Sequence, residues 1–298
     1  MDRAFRGGAY VSGALVVLLL AYILWEIGTR AMPAIERFGL GFLTSAVWDP
    51  GAAQFGVLAE IWGTLYSSVL ALALAAFFGV AVAIFLTQDF LDARLARVFR
   101  AVIEMLAAIP SVVYGLWGIY VVIPALRPLA TFLSETFGWF PMFSTSFSGP
   151  SMAPAVIVLA IMVLPTVAAI SQDAFTLIPY KTKEAAFGMG TTRWEAITKV
   201  MLPTASSGIF ASLVLGFGRA LGETMALAML IGNSNQISWS LFSPASTLAS
   251  LLASQFPEAS GLETEALMYA AIVLLVISLG VNVLGTLVMA MASKQKVG

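Results

Sequence analysis

Six stretches of mostly apolar residues, roughly Tyr10–Ile27, Ile61–Leu86, Val98–Ile123, Ala153–Ile178, Ser206–Ile231 and Ala266–Met291, dominate this 298-residue chain. A helix needs about 20 such residues to cross a bilayer, where the backbone must satisfy its own hydrogen bonds. The chain is 60% hydrophobic and 10% charged, against about a quarter charged for a soluble domain. The expectation is an all-α, multi-pass membrane protein with six transmembrane helices. The first run follows Arg3 and Arg6, as the core of a signal peptide would. Trp25 and Glu26 stand where a small-residue cleavage site would be, so it reads as an uncleaved first helix.

Orientation follows from Lys and Arg. With six spans, one side holds Arg3 and Arg6, Arg94, Arg97 and Arg100, Lys181, Lys183, Arg193 and Lys199, and Lys294 and Lys296. The other side holds Arg30, Arg37 and Arg127. Basic residues stay on the cytoplasmic side, so both termini are expected there. The chain then divides into an N-terminal helix with its external loop (1–60) and a five-helix core (61–298). It has no cysteine and no histidine, which removes disulfides, thiolate chemistry, His-based catalysis and the usual ligands of haem or zinc. A net charge of −1 argues against a nucleic-acid partner.

Three connections, about 28–60, 124–152 and 232–265, face outward and are rich in aromatic residues, Pro, Ser and Gly. "STLASLLASQF" (246–256) is too short to span and reads either as an interfacial or re-entrant helix or as a surface-lying loop. Pro110 and Pro165 fall inside the third and fourth runs and predict kinks. Gly218, Gly222 and Ala226 form a small-residue stripe at a spacing of four, suited to close helix packing. Glu26, Glu104 and Asp173 fall near expected helix ends, where water solvates them, and Glu60, just before the second span, is expected to face water.

The cytoplasmic segment "EAAFGMGTTRWEAITKVMLP" (184–203) carries the most specific pattern. Glu184–Met189 predicts a short helix ended by Gly190 in the left-handed conformation. Thr192 and Glu195 form a capping box for a second short helix, expected to end before Pro203. Phe187, Met189 and Trp194 are apolar side chains with nothing evident to bury them, which a docked protein would resolve. The alternative is a loop packed on the ends of its own spans. Glu184, Ala185, Ala186, Gly190, Val200, Leu202 and Pro203 match the EAA motif of ABC importer permeases, with Val200 in place of the usual Ile.

"FGLGFLTSAVWDP" (38–50), "QFGVLAEIWGTLYSS" (54–68), "AIPSVVYGLWGI" (108–119) and "GRALGETMAL" (218–227) extend the likeness over nearly the whole chain. It resembles the phosphate-specific ABC permease family, the PstC subunits. The resemblance implies a type I ABC importer permease fold in the bacterial cytoplasmic (inner) membrane. It also implies a homologous partner permease (PstA-like), two cytoplasmic ATPase subunits (PstB-like) and an external phosphate-binding protein (PstS-like). Glu184, Ala185, Ala186, Phe187, Gly190, Trp194, Leu202 and Pro203 would couple to the ATPase. The chain has no G-x-x-x-x-G-K-[ST] motif, so ATP and magnesium are expected on the partner and the chain is expected not to be an enzyme.

Arg219 and Glu223 are the only charges from Ile209 to Ile231. Charges in a span are costly unless paired or facing a cavity. On one continuous helix, residues four apart share a face, so the two are expected to touch. The guanidinium fork can hold two phosphate oxygens, and the carboxyl can balance it or hydrogen-bond the anion. Arg219, Glu223 and Thr224 are therefore the expected substrate path; a structural ion pair is the competing reading. Three glutamates, Glu258, Glu263 and Glu265, with no basic residue in 232–265, would repel free phosphate and favour delivery by a docked binding protein. Other readings are a permease for sulfate or molybdate, a self-sufficient anion channel, or a membrane enzyme, the last lacking any histidine or metal cluster.

Overall fold

The computed structural model describes residues 2–88 and 90–294; Lys296, one of the basic residues used for orientation, lies outside them. Its helices, in chain order, are α1 (Asp2–Phe38), α2 (Gly41–Thr44), α3 (Leu58–Thr87), α4 (Ala93–Ala108), α5 (Ser111–Trp117), α6 (Ile123–Phe137), α7 (Met152–Thr176), α8 (Tyr180–Gly188), α9 (Arg193–Glu195), α10 (Leu202–Leu221), α11 (Met225–Leu230), α12 (Leu248–Gln255) and α13 (Leu262–Lys294). Two-residue strands, Trp48–Asp49 and Gln54–Phe55, pair antiparallel in the first connection.

Among the described residues six helices are long and apolar enough to cross a membrane: Phe5–Phe38, Leu58–Thr87, Ser111–Phe137, Met152–Thr176, Arg193–Leu221 and Leu262–Met289. Their number agrees with the sequence; several boundaries do not. The first helix runs on to Phe38, carrying Pro33, so the first external connection is helical at its start. The third run is two helices. Asp92 caps α4 by accepting from the Arg94 N–H at 3.2 Å, and α4 stops because the residue before a proline is driven out of the α region. Pro110 therefore lies between α4 and α5 rather than within a span. From Ser111 the helix passes through a π segment, Gly118–Val122, and reaches Phe137, past the expected end at Ile123. Pro165 does stay inside α7.

The second cytoplasmic helix does not end before Pro203. A π segment, Ala196–Met201, joins α9 to α10, and Pro203 sits in the first turn of α10. A proline within a helix clashes with the carbonyl four residues back and supplies no N–H; a widened turn just before it relieves both problems. The loop helix and the fifth span are thus one continuous rod from Arg193 to Leu221.

At the centre α3 packs along α7, and α10 lies against both. Small residues permit the closeness: Gly208 meets Ala174, and a Cβ at Gly216 would lie 3.0 Å from the side chains of Val163 and Val167. Separately, α1 packs on α13, around Ala31, Ala34, Phe42 and Tyr269, with Phe42 and Tyr269 stacked 4.4 Å apart.

The segment 246–256 is not a surface-lying loop, and the chain leading into it from α11 is tied down by backbone bonds. The Ser151 N–H donates to the Leu230 carbonyl, Met152 to Ser243, Ala153 to Leu241 and Ala245 to Ile231, so the segment is tied to the start of α7. Leu248, Ala249, Ser250 and Leu251 of α12 are buried, and the Leu248 N–H donates to Thr64 of α3 at 2.9 Å. Glu60 does not face water: it is fully buried, and neither carboxyl oxygen has a hydrogen-bond partner. It lies in the first turn of α3, the stretch onto which the Ser45 carbonyl and residues 246–248 pack. Gly63 touches the Ser246 carbonyl directly. A methyl group there must push the backbone of 246–248 away, so Gly63→Ala is expected to destabilise by about 2 kcal/mol, read as a lower midpoint in thermal unfolding of the detergent-purified protein.

Candidate functional site

The fifth span breaks where the sequence predicts continuity. α10 ends at Leu221, Gly222 caps it, and α11 starts at Met225. Two local bonds hold the break: the Thr224 hydroxyl donates to the Gly222 carbonyl at 3.1 Å, and Glu223 Oε1 accepts from the Ala226 N–H at 3.3 Å. Glycine's low helix propensity and a carboxylate able to take an orphan N–H at a helix start make this an ordinary place for a helix to end and restart.

Arg219 and Glu223 therefore do not pair, and the expectation that they touch is overturned, as is the stripe of Gly218, Gly222 and Ala226 on one helix. Glu223 serves the start of α11. Arg219 stays in the last turn of α10 and is exposed, and its Nη1 donates to Thr166 Oγ1 of α7 at 3.2 Å. Thr166 is fourteen residues from the start of α7 and ten from its end, or about 21 and 15 Å at 1.5 Å per residue. The guanidinium thus lies near mid-span, on an open face of the subunit. Arginine stays charged there and keeps further N–H donors for a ligand. Thr224 stays adjacent to Glu223, at the start of α11.

The cytoplasmic loop forms as expected in most respects. Glu184, Ala185, Ala186 and Phe187 lie on α8, which runs Tyr180–Gly188. Gly190 has φ +81°. Thr192 and Glu195 make the reciprocal capping box, with Trp194 between them on α9, and Leu202 and Pro203 open α10. The loop does pack on its own span ends through Ala186, Ala196, Ile197 and Met201, against Ala83 of α3 and Phe175 of α7. Yet Phe187, Met189 and Trp194 remain 48%, 84% and 69% exposed. Glu184 and Phe187 border a recess of about 150 Å³ shared with Gln88 at the end of α3. The loop is a preformed knob, rigid beneath and apolar at the tip, continuous with the span that carries Arg219.

Residues 79–295 match the family model "Binding-protein-dependent transport system inner membrane component". The phosphate transport system permease protein PstC of Pasteurella multocida is 40% identical over 283 residues, covering 93% of this chain and 88% of that protein. The PstC of Haemophilus influenzae is 38% identical over 301 residues, covering 99% and 95%. The chain belongs to the PstC permease family. Its fold is that of the type I ABC importer permeases. A bacterial alginate ABC transporter solved with its pentasaccharide-bound periplasmic protein superposes with TM-score 0.61 at 16% identity, over 91% of this chain and 92% of that one. The MetNI methionine transporter in an inward-facing conformation gives TM-score 0.59 at 18% identity, over 79% and 95%. As a PstC-family permease, the chain is a multi-pass membrane subunit and not an enzyme. Thr166 of this permease escaped the sequence reading because a lone threonine on an apolar helix carries no signal; only the packing of α7 on α10 sets it beside Arg219.

Proposed function

We propose that this chain is the channel-forming permease subunit of an ATP-driven inorganic phosphate importer. The carrying observation is Arg219, a permanent cation held near mid-span on the open face of the subunit, where a planar fork can take two oxygens of a tetrahedral anion. Its relatives are named phosphate transport permeases. Phosphate arrives from an external binding protein at the mouth bordered by 232–265, passes Arg219, Glu223 and Thr224 between this chain and a homologous permease, and leaves to the cytoplasm. Both termini lie on the cytoplasmic side of the cell membrane. There the exposed Phe187, Met189 and Trp194 dock onto one of two ATPase subunits, which bind ATP and magnesium. Because Trp194 and Arg219 share one rod from Arg193 to Leu221, nucleotide-driven movement at Trp194 reaches the anion site along that rod.

The test is uptake of radiolabelled phosphate by cells from which this chain has been deleted and then restored. Restoration should return phosphate uptake, and excess unlabelled sulfate or molybdate should not compete. Competition by those anions would reassign the substrate, and uptake that persists without cellular ATP would point to a self-sufficient channel.

A further inference from the structure

α7 and α10 run antiparallel in a register set by three contacts: Gly208 against Ala174, a Ser212–Ser171 hydrogen bond of 3.0 Å, and Gly216 against Val167. From Gly208 to Gly216 each turn up α10 is matched by a turn down α7, and Arg219, three residues beyond Gly216, reaches back to Thr166, the neighbour of Val167. Helices this close, joined through glycine and serine, leave little freedom in that pairing. Thr166 Oγ1 accepts from Arg219 Nη1. A hydroxyl that accepts still has one hydrogen to donate. Thr64, Thr87, Thr198 and Thr204 each donate theirs to the carbonyl four residues back, at 2.6–2.8 Å. Thr166 makes no such bond, and it is only partly buried, on the same side as the exposed guanidinium. Glu223 meanwhile is turned to the Ala226 N–H.

We propose that Thr166 is a positioning residue of the anion path. It fixes the Arg219 fork by accepting one N–H, and its own hydroxyl proton is offered to an oxygen of the anion that Arg219 holds. This rests on the phosphate-path reading of Arg219. It makes the site a composite of α7 and α10, so sliding of one helix along the other would misalign donor and fork together.

The experiment uses the whole transport complex in proteoliposomes, with inorganic phosphate presented on its binding protein and uptake and ATP hydrolysis measured per complex. Thr166→Val keeps the shape and removes the hydroxyl; losing one hydrogen bond to a charged group should lower maximal phosphate uptake about tenfold. ATP hydrolysis should hold near wild type, because the loop and the ATPase are untouched. Thr166→Ser should retain most of the uptake. If Thr166→Val blocks assembly, Thr166→Ala carries the same test. Wild-type uptake without the hydroxyl would overturn the proposal. So would equal losses in the Ser and Val variants, or a proportional fall of uptake and hydrolysis, since each marks a packing role. Arg219→Gln, measured beside them, separates the two levels: wild-type uptake there removes the path reading itself, whereas loss there with none in Thr166→Val removes only the role of Thr166.

Discussion

Arg219→Gln is expected to abolish phosphate uptake while the protein reaches the membrane at its normal level. Glutamine removes both the charge and the fork. An anion held by two charge-assisted hydrogen bonds, each worth about 1.5–3 kcal/mol, loses at least about a hundredfold in occupancy of the site. Arg219→Lys keeps a charge but not the planar pair of donors, so a fraction of uptake should remain at most. The geometry at the break ranks Glu223 below Arg219. Glu223→Gln keeps an oxygen able to accept from the Ala226 N–H and takes no counter-charge from Arg219, so its effect should be milder. If the two had formed a structural ion pair, the double variant Arg219→Met with Glu223→Gln would be tolerated, since a buried pair can often be replaced by uncharged groups. Without that pairing, the double variant should fail as completely as Arg219→Gln alone. Uptake of labelled phosphate with immunoblotting of the membranes decides it, and normal transport by the double variant would remove Arg219 from the path.

The second large effect is expected at the cytoplasmic knob. Gly190 turns the chain between α8 and α9 at φ +81°, and the space where a Cβ would point is open. A substitution there costs only backbone strain, about 1–3 kcal/mol, or about five- to a hundredfold in the equilibrium between docked and undocked loop. Gly190→Val should leave the spans intact, yet tilt Phe187 and Met189 relative to Trp194. Phosphate uptake and phosphate-stimulated ATP hydrolysis should then fall together. Their joint fall distinguishes this variant from Thr166→Val, in which hydrolysis continues. Normal transport with Gly190→Val would show that the knob is not the coupling element.

The features that the sequence by itself determined are those set by local chemistry. Apolar runs long enough for a bilayer count the spans, because a continuous apolar run of that length satisfies its own backbone in lipid as a helix. Gly190, Thr192 and Glu195 specify a turn and a cap whose bonds reach three residues. Phe187, Met189 and Trp194 are exposed because nothing adjacent in the chain covers them. The tertiary structure decided what depends on distant partners. A spacing of four placed Arg219 beside Glu223 only on the premise of an unbroken helix, and Gly222 ends that helix. With 231–255 folded back against α3, α7 and α11, Leu230 and Ala245 gain backbone partners that a straight fifth span would have denied them. Glu60 reads as a solvated acid from its place before a span, and it is buried, on a stretch of α3 whose Leu58 and Gly63 meet Ser45 and Ser246, far from each other in sequence. Thr166 is one unremarked hydroxyl in an apolar run until glycines and serines lock α7 against α10. The physical reason is common to these cases: a capping or turn preference is satisfied within a few residues, whereas the partner of a buried polar group is chosen by the register of helices that meet only once the chain has folded.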